Sequence, residues 1–323
     1  MRYAILGGGR WGLALAVHLA RKGFEILIYD ISKEVVSSIN NHIHPHVEGF
    51  TLSEKIRATT AIEEVENFSD KIICALPTQT IKHTIRLFDL NYKDLIVASK
   101  GIDVERKMLI SDIVKELFDR VNIHVLSGPS FAIEVLKGLP TALVLASENE
   151  SRAKVIQKEL NSEYFRVYRN NDVIGVELGG ALKNVIAIAC GISDGLGLGN
   201  NARASLITRG LKEMTRIGVA LGAKKETFYG LSGAGDLFLT ASSELSRNRT
   251  FGFLLAKGKS KEKILKELNQ TVEGIETVKA VYEIVRKRNI YAPVSEAVFK
   301  VVIEGKSIKE TVKELLLREP GEE

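Results

Sequence analysis

Met1-Arg2-Tyr3-Ala4-Ile5-Leu6-Gly7-Gly8-Gly9-Arg10-Trp11-Gly12 opens the chain, and its reading decides the fold. Tyr3 to Leu6 make a short apolar run of the kind that forms a buried strand, and glycines follow at once. Gly7, Gly9 and Gly12 stand in the spacing G-x-G-x-x-G, and the residues from Gly12 to Lys22 follow a helical period. Gly7 permits a tight turn, Gly9 lets phosphates approach the backbone, and Gly12 lets the helix lie close on the sheet. The free N–H groups and positive end of that helix then face an anionic pyrophosphate. Strand, turn and helix in this order predict a dinucleotide site. A glycine turn that holds no ligand is the plainer alternative.

The next apolar run, Glu25 to Tyr29, ends on Asp30. A carboxylate there accepts hydrogen bonds from ribose hydroxyls and repels the additional phosphate of NADP. Ile31 and Ser32 follow it in place of an arginine, with Lys33 beyond. NAD is therefore the expected cofactor, with NADP possible. Asp30 or Ser32 also has the composition of an N-cap for a helix from Lys33 to Asn40.

Further outward, Lys71 to Leu76, Leu95 to Ser99, His124 to Ser127 and Thr141 to Ala146 read as strands, with amphipathic helices such as Lys107 to Arg120 between them. This alternation predicts an α/β domain with a parallel sheet, helices covering both faces. From about Asp172 the period becomes helical throughout: Val173 to Cys190, Ala202 to Leu221, Lys261 to Leu268, Gly274 to Arg288, Pro293 to Glu304 and Ser307 to Arg318. The expected division is a dinucleotide-binding domain over 1–171 and an all-α substrate-binding, catalytic domain over 172–323, without a flexible linker.

The balance of 45 basic and 40 acidic residues is spread along the chain. It suits a small anionic substrate and gives no clustered basic face for nucleic acid. Cys74 and Cys190 each sit in an apolar run, outside any Cys-x-x-Cys pair, and read as buried reduced thiols of a cytoplasmic protein. No run of about 18 apolar residues appears, so no membrane insertion is expected. The start lacks the apolar length of a signal peptide. Disorder is expected only at the tip, Arg318 to Glu323.

Reduction of a ketone needs a proton donor, a group that holds the substrate, and groups that recognise its unreactive end. Lys100 ends an apolar strand on the side where open parallel sheets bind ligands. Lys183 stands mid-helix among Gly179, Gly180, Ala181, Leu182 and Val185, which leave it little polar face. Desolvation and a second ammonium nearby would lower its pKa into the range useful for proton transfer. Arg247 carries a fork suited to phosphate, although Arg247 and Arg249 alone would read as a solvated helix terminus.

Taken together, these blocks resemble the bacterial-type NAD(P)-dependent glycerol-3-phosphate dehydrogenases. The resemblance runs through Gly7 to Gly12, Ser99-Lys100-Gly101, Ser127 to Ala132, Glu177 to Asn184, Ser193 to Gly197, Gly233 to Asp236, Ser246 to Arg249 and Thr271 to Gly274. It implies a Rossmann-type first domain, a helical second domain and an active site between them. It implies hydride transfer between NAD(H) and dihydroxyacetone phosphate or sn-glycerol 3-phosphate, which supplies phospholipid synthesis, in a homodimer. Lys183 would be the general acid and base, and Asp236 would set its charge and orientation. Lys100 would touch cofactor and substrate. Gly128, Ser130, Ser246, Arg247 and Asn248 would hold the substrate. Arg10, Trp11, Ala132, Arg247 and Glu273 would line the cofactor.

Two features depart from that family. Asp30-Ile31 stands where NADP-using members often carry a basic or histidine residue, and His42-Ile43-His44-Pro45-His46 occupies a stretch where Tyr-Leu-Pro-Gly is expected nearby. The three alternating histidines read first as a loop cluster and second as metal ligands; the chemistry itself needs no metal. A dehydrogenase for another hydroxy acid or hydroxy phosphate, and a non-catalytic NAD sensor, are the rival readings.

Overall fold

A computed structural model describes residues 1–319 of the protein. The tip expected to be disordered therefore falls, from Pro320 on, outside the described residues. The described residues form two compact units: Met1–Ser99 with Ile110–Val176, and Lys100–Leu109 with everything from Glu177 onward.

The first unit is built on one sheet of eight strands. These are β1 (Arg2–Leu6), β2 (Glu25–Tyr29), β3 (Ile56–Thr59), β4 (Lys71–Cys74), β5 (Asp94–Val97), β6 (Asn122–Ser127), β7 (Thr141–Ser147) and β8 (Phe165–Asn170). Their order is β3-β2-β1-β4-β5-β6-β7-β8. Strands β1 to β6 are parallel; β7 runs antiparallel to β6, and β8 is parallel to β7. The sheet is thus mostly rather than wholly parallel. Ile5, Ile73 and Ile96 lie in its fully buried middle, where unbroken apolar runs satisfy both covered faces.

The chain leaves β1 for β2 and β3 on one side, then returns to β4 on the other. This reversal of strand order opens a crevice at the carboxyl ends of β1 and β4, and the glycine turn stands there. Asp94 is buried at the start of β5, where Nε and Nη2 of Arg152 compensate its charge and His124 Nε2 lies 3.2 Å from its Oδ1.

The second unit is helical. Its longest helix, Val173–Gly195, continues from the first unit and is followed by Gly199–Ala220. Val173–Gly195 is long and apolar enough to cross a membrane, which corrects the expectation that no such stretch exists; 89% of its apolar window is buried inside the protein. Helix Arg247–Ala256 crosses it with almost no space between the backbones. A Cβ on Gly252 would lie 2.1 Å from Ile188 O, and one on Gly191 would lie 2.0 Å from Arg249 O. Val185, Ile188, Ile192 and Phe251 then join Ile275, Val278 and Val298 in one core. Glu213, 1% exposed, accepts from Val294 N, Ser295 N and Ser295 Oγ at 2.6–2.8 Å and so caps helix Pro293–Val302.

Candidate active site

The glycine turn of the first unit has the shape its spacing predicts. Gly7 takes φ +107°, and its N–H donates to Tyr29 O at 2.8 Å. Helix Arg10–Arg21 starts at Gly9 with no side chain capping it. A Cβ on Gly12 would lie 2.1 Å from Gly7 O, so only glycine allows this approach of helix and turn. A Cβ on Gly9 would meet nothing within 4 Å. Open backbone beside unused helix N–H groups fits a dinucleotide pyrophosphate.

Asp30 both follows β2 and braces the turn. Its Oδ2 accepts from Gly8 N at 2.8 Å and its Oδ1 from Ser32 N at 2.9 Å. The N-cap of Lys33–Asn40 is Ser32, whose Oγ accepts from Val35 N at 3.2 Å. Asp30 is therefore not the cap, and an ionised carboxylate has about four acceptor positions, enough for ribose hydroxyls as well. Trp11 donates its indole N–H to Ala98 O at 3.1 Å, which pins the half-buried ring, while Arg10 beside it is exposed. At the end of β6, Gly128 takes φ +133° against Leu143, and Ser130 Oγ donates to Gly128 O at 3.0 Å. Ala132 begins the short helix Ala132–Leu136.

The second unit brings Lys100, Lys183 and Asp236 together. Lys183 Nζ lies 2.8 Å from Asp236 Oδ1 and 2.6 Å from Thr240 Oγ1. Lys100 Nζ lies 2.6 Å from Asp236 Oδ2. Asp236 is 1% exposed and Lys183 7%. Burial lowers the pKa of Lys183 to about 8; the Asp236 carboxylate opposes that shift, while the Lys100 and Arg247 charges add to it. Burial alone would raise Asp236, but the two ammonium groups prevail and hold it below the usual carboxylate value. Two hydrogens of the Lys183 ammonium serve Asp236 and Thr240, and one remains for a substrate oxygen.

Local backbone sets this geometry. Asp236 follows a π-type turn, Leu231–Gly235, in which Gly235 N donates to Gly230 O, five residues back. Such wide turns recur at functional sites because they redirect the next side chain. Gly233 is required there, since a Cβ would stand 2.2 Å from Phe228 O. From Lys183 a run of amides extends outward: Asn184 Nδ2 donates to Lys100 O at 3.2 Å, Asn248 Nδ2 to Asn184 Oδ1 at 2.9 Å, and Gly274 N to Asn248 Oδ1 at 2.9 Å.

Ser246 caps helix Arg247–Ala256, accepting from Arg249 N at 3.2 Å. Arg247, on the exposed first turn, donates to Thr271 O at 2.8 Å, and Arg249 turns instead to Asp194 at 2.8 Å. Glu273 is the first residue of helix Glu273–Lys287. Asn184 belongs to the block that carries the resemblance, though without a role of its own, whereas no motif singles out Thr240. Thr240 lies one helical turn beyond Asp236, and that i, i+4 spacing is the signal that would have found it.

Among the described residues, no group of three or more His, Cys, Asp and Glu side chains could hold a metal ion. The three histidines do not converge: His46 Nε2 lies 3.0 Å from Gly8 O, and His44 Nδ1 accepts from His46 N at 3.1 Å.

A glycine turn of this form and a buried lysine tuned by a carboxylate are the equipment of a dinucleotide-dependent dehydrogenase. Comparison with known proteins narrows the class. Residues 2–153 match the model for the N-terminus, and residues 172–313 the model for the C-terminus, of NAD-dependent glycerol-3-phosphate dehydrogenase. The chain belongs to this family. It is 44% identical to a glycerol-3-phosphate dehydrogenase, NAD(P)+, of Thermotoga sp. strain RQ2, over 98% of this chain and 97% of that one. It is 42% identical to another of that name from Citrifermentans bemidjiense, again over 98% and 97%. The crystal structure of glycerol-3-phosphate dehydrogenase from Coxiella burnetii superposes with a TM-score of 0.94 at 37% identity, covering 98% of this chain and 99% of that one.

Proposed function

We propose that the Lys183–Asp236–Lys100 cluster performs the proton transfer and carbonyl polarisation of this enzyme. The chain is an NAD(P)-dependent glycerol-3-phosphate dehydrogenase that reduces dihydroxyacetone phosphate to glycerol 3-phosphate. The observation that carries the proposed roles is the two-sided engagement of Asp236, one oxygen on each lysine.

The nicotinamide, when bound, supplies the hydride. Lys183 donates a proton to the carbonyl oxygen as it becomes an alkoxide, and recovers it in the reverse direction. Its pKa of about 8 lets both forms exist near neutrality. Lys100, held on the other oxygen of Asp236, stabilises the developing negative charge. Arg247, Asn248 and Ser246 hold the phosphate at the positive end of helix Arg247–Ala256, where Ser246 Oγ still has its hydrogen to donate. Gly128 and Ser130 complete the substrate contacts. Gly7, Gly9, Arg10, Trp11, Gly12, Asp30, Lys100, Ala132, Arg247 and Glu273 hold the dinucleotide, with NAD preferred.

Most dinucleotide contacts fall in 1–171 and most substrate contacts in 172–323; Lys100, Gly128 and Ser130 reach the substrate from the first stretch, and Arg247 and Glu273 the dinucleotide from the second. The enzyme acts in the cytoplasm as a homodimer, and its product feeds phospholipid synthesis; a monomer mass near 35.6 kDa in light scattering would exclude the dimer. The deciding experiment is NADH oxidation with dihydroxyacetone phosphate, dihydroxyacetone or an unphosphorylated 2-oxo acid. Turnover confined to the phosphorylated ketone supports the phosphate site; equal turnover with dihydroxyacetone refutes it.

A further inference from the structure

The histidine segment that the function leaves unexplained touches the glycine turn. Residues 42–52 close on themselves: His44 N donates to Phe50 O at 3.1 Å, and Leu52 N to His42 O at 2.8 Å. Within this loop His44 is 3% exposed, and its Nδ1 accepts the backbone N–H of His46 at 3.1 Å. Burial pushes the pKa of His44 down to about 4, which keeps the ring neutral and its Nδ1 able to accept. Pro45 between the two histidines fixes its own φ and removes one degree of freedom from the connection. The ring of His46 is thereby presented to the turn, with Nε2 3.0 Å from Gly8 O. A carbonyl only accepts, so His46 must carry its hydrogen on Nε2.

We propose that His46 is a positioning residue for the dinucleotide, acting through the Gly8–Gly9 peptide. Gly8 O and Gly9 N–H belong to one planar trans unit and point in opposite directions. A hydrogen bond to the carbonyl therefore aims the N–H of Gly9 the other way, on the residue whose Cα faces open space. The preceding peptide is held as well, because Gly8 N donates to Asp30 Oδ2. Glycine has more backbone states to lose than any other residue, and here three stand in a row. Fixing two successive peptides before the ligand arrives removes ordering that binding would otherwise have to supply. This inference rests on the reading of the turn as the dinucleotide site.

The test uses full-length His46→Leu, His46→Phe and His46→Gln. The first two remove the donor, Phe keeping the ring's volume, and Gln retains an N–H at similar reach. Two quantities are read: amide hydrogen exchange of the peptide covering residues 5–14 without ligand, and the Kd of NADH by fluorescence titration. His46→Leu and His46→Phe are expected to speed exchange in that peptide at least tenfold and to raise Kd about tenfold. His46→Gln should restore most of both, and the KM for dihydroxyacetone phosphate should stay unchanged. If Leu fails to fold, Phe against Gln carries the comparison. Wild-type exchange and Kd in Phe, or equal loss in Gln and Phe, overturns the proposal. Faster exchange with no NADH binding even by the wild type would instead refute the reading of the turn itself.

Discussion

Lys183 Nζ and Asp236 Oδ1 lie 2.8 Å apart in a site almost closed to water. Burial and the carboxylate act on the lysine in opposite senses, and burial wins by enough to bring the pKa to about 8. Ketone reduction starts from the ammonium, so kcat for dihydroxyacetone phosphate should fall as pH rises through about 8. Oxidation of glycerol 3-phosphate starts from the amine and should rise over the same interval. Lys183→Ala should lower kcat by about 10²- to 10⁴-fold, the range for loss of a general acid, with the Kd of NADH unchanged. The same site has a stability signature. Between about 8 and the ordinary value of 10.5 the unfolded chain holds more protons there than the folded one, so its contribution to stability grows as pH rises.

Exchanging the neighbours should move that limb in opposite directions. Asp236→Asn removes the charge that favours the ammonium and should shift the limb to lower pH. Lys100→Met removes a like charge and should shift it to higher pH. Both variants will be slow, so the position of the limb, read from kcat against pH, carries the test; two shifts of the same sign would contradict the assignment.

Arg247 stands at the first turn of its helix, with one nitrogen already on Thr271 O. Loss of a charge-assisted pair to phosphate costs about 1.5–3 kcal/mol, so Arg247→Ala should raise the KM for dihydroxyacetone phosphate by roughly 10- to 150-fold. An unchanged KM in steady-state kinetics would remove Arg247 from the phosphate site.

Asp30 is expected to select NADH over NADPH by repelling the additional phosphate. Because the carboxylate also braces Gly8 N and Ser32 N, Asp30→Ala should weaken NADH while improving NADPH relative to it. The ratio of kcat/KM for the two cofactors measures this, and a ratio that stays fixed would show that selection lies elsewhere.

At the crossing of Val173–Gly195 with Arg247–Ala256, Gly252→Ala sets a methyl against Ile188 O, 2.1 Å away, and Ile192 N, 3.0 Å away. Backbone cannot step aside as a flexible side chain would. The substitution should cost about 1–3 kcal/mol in urea unfolding, as overpacking does. The same displacement reaches Asn248 and Arg247, so the KM for the phosphorylated ketone should rise in parallel.

Much of this architecture is written in local pattern. The glycine spacing, the buried runs of β1, β4 and β5, and the 3.6-residue period after Asp172 each follow from side chains close in sequence. Strands β3 and β8 escaped that reading. Ile56–Thr59 is four residues long and carries Arg57, while Phe165–Asn170 exposes Arg166, Tyr168 and Arg169. Both are edge strands, with one side unpaired and little need for continuous apolar surface. The reversal at β7 escaped too, because strand direction leaves no mark in side-chain alternation.

In the site, the isolation of Lys183 on its helix was visible from its neighbours. That one carboxylate would divide its oxygens between Lys183 and a lysine 83 positions earlier was not, since it depends on a π-type turn and on the tertiary placement of Lys100. His46 was visible only as an oddity. Its partner, Gly8, lies 38 residues away, and no spacing rule connects them.

Lys100–Leu109 packs with the helical unit although the chain reaches it between two strands of the sheet. The modularity suggested by a single boundary near residue 171 is therefore incomplete. A chimaera that exchanged residues 1–171 for those of another dehydrogenase would also replace one of the three charged members of the Lys100–Asp236–Lys183 cluster. Recombination of whole dinucleotide halves would in this chain alter, in the same event, the electrostatics of the cluster to which we assign proton transfer. On that assignment, exchange of the dinucleotide half and a change in the pKa of Lys183 are linked by the path of the chain.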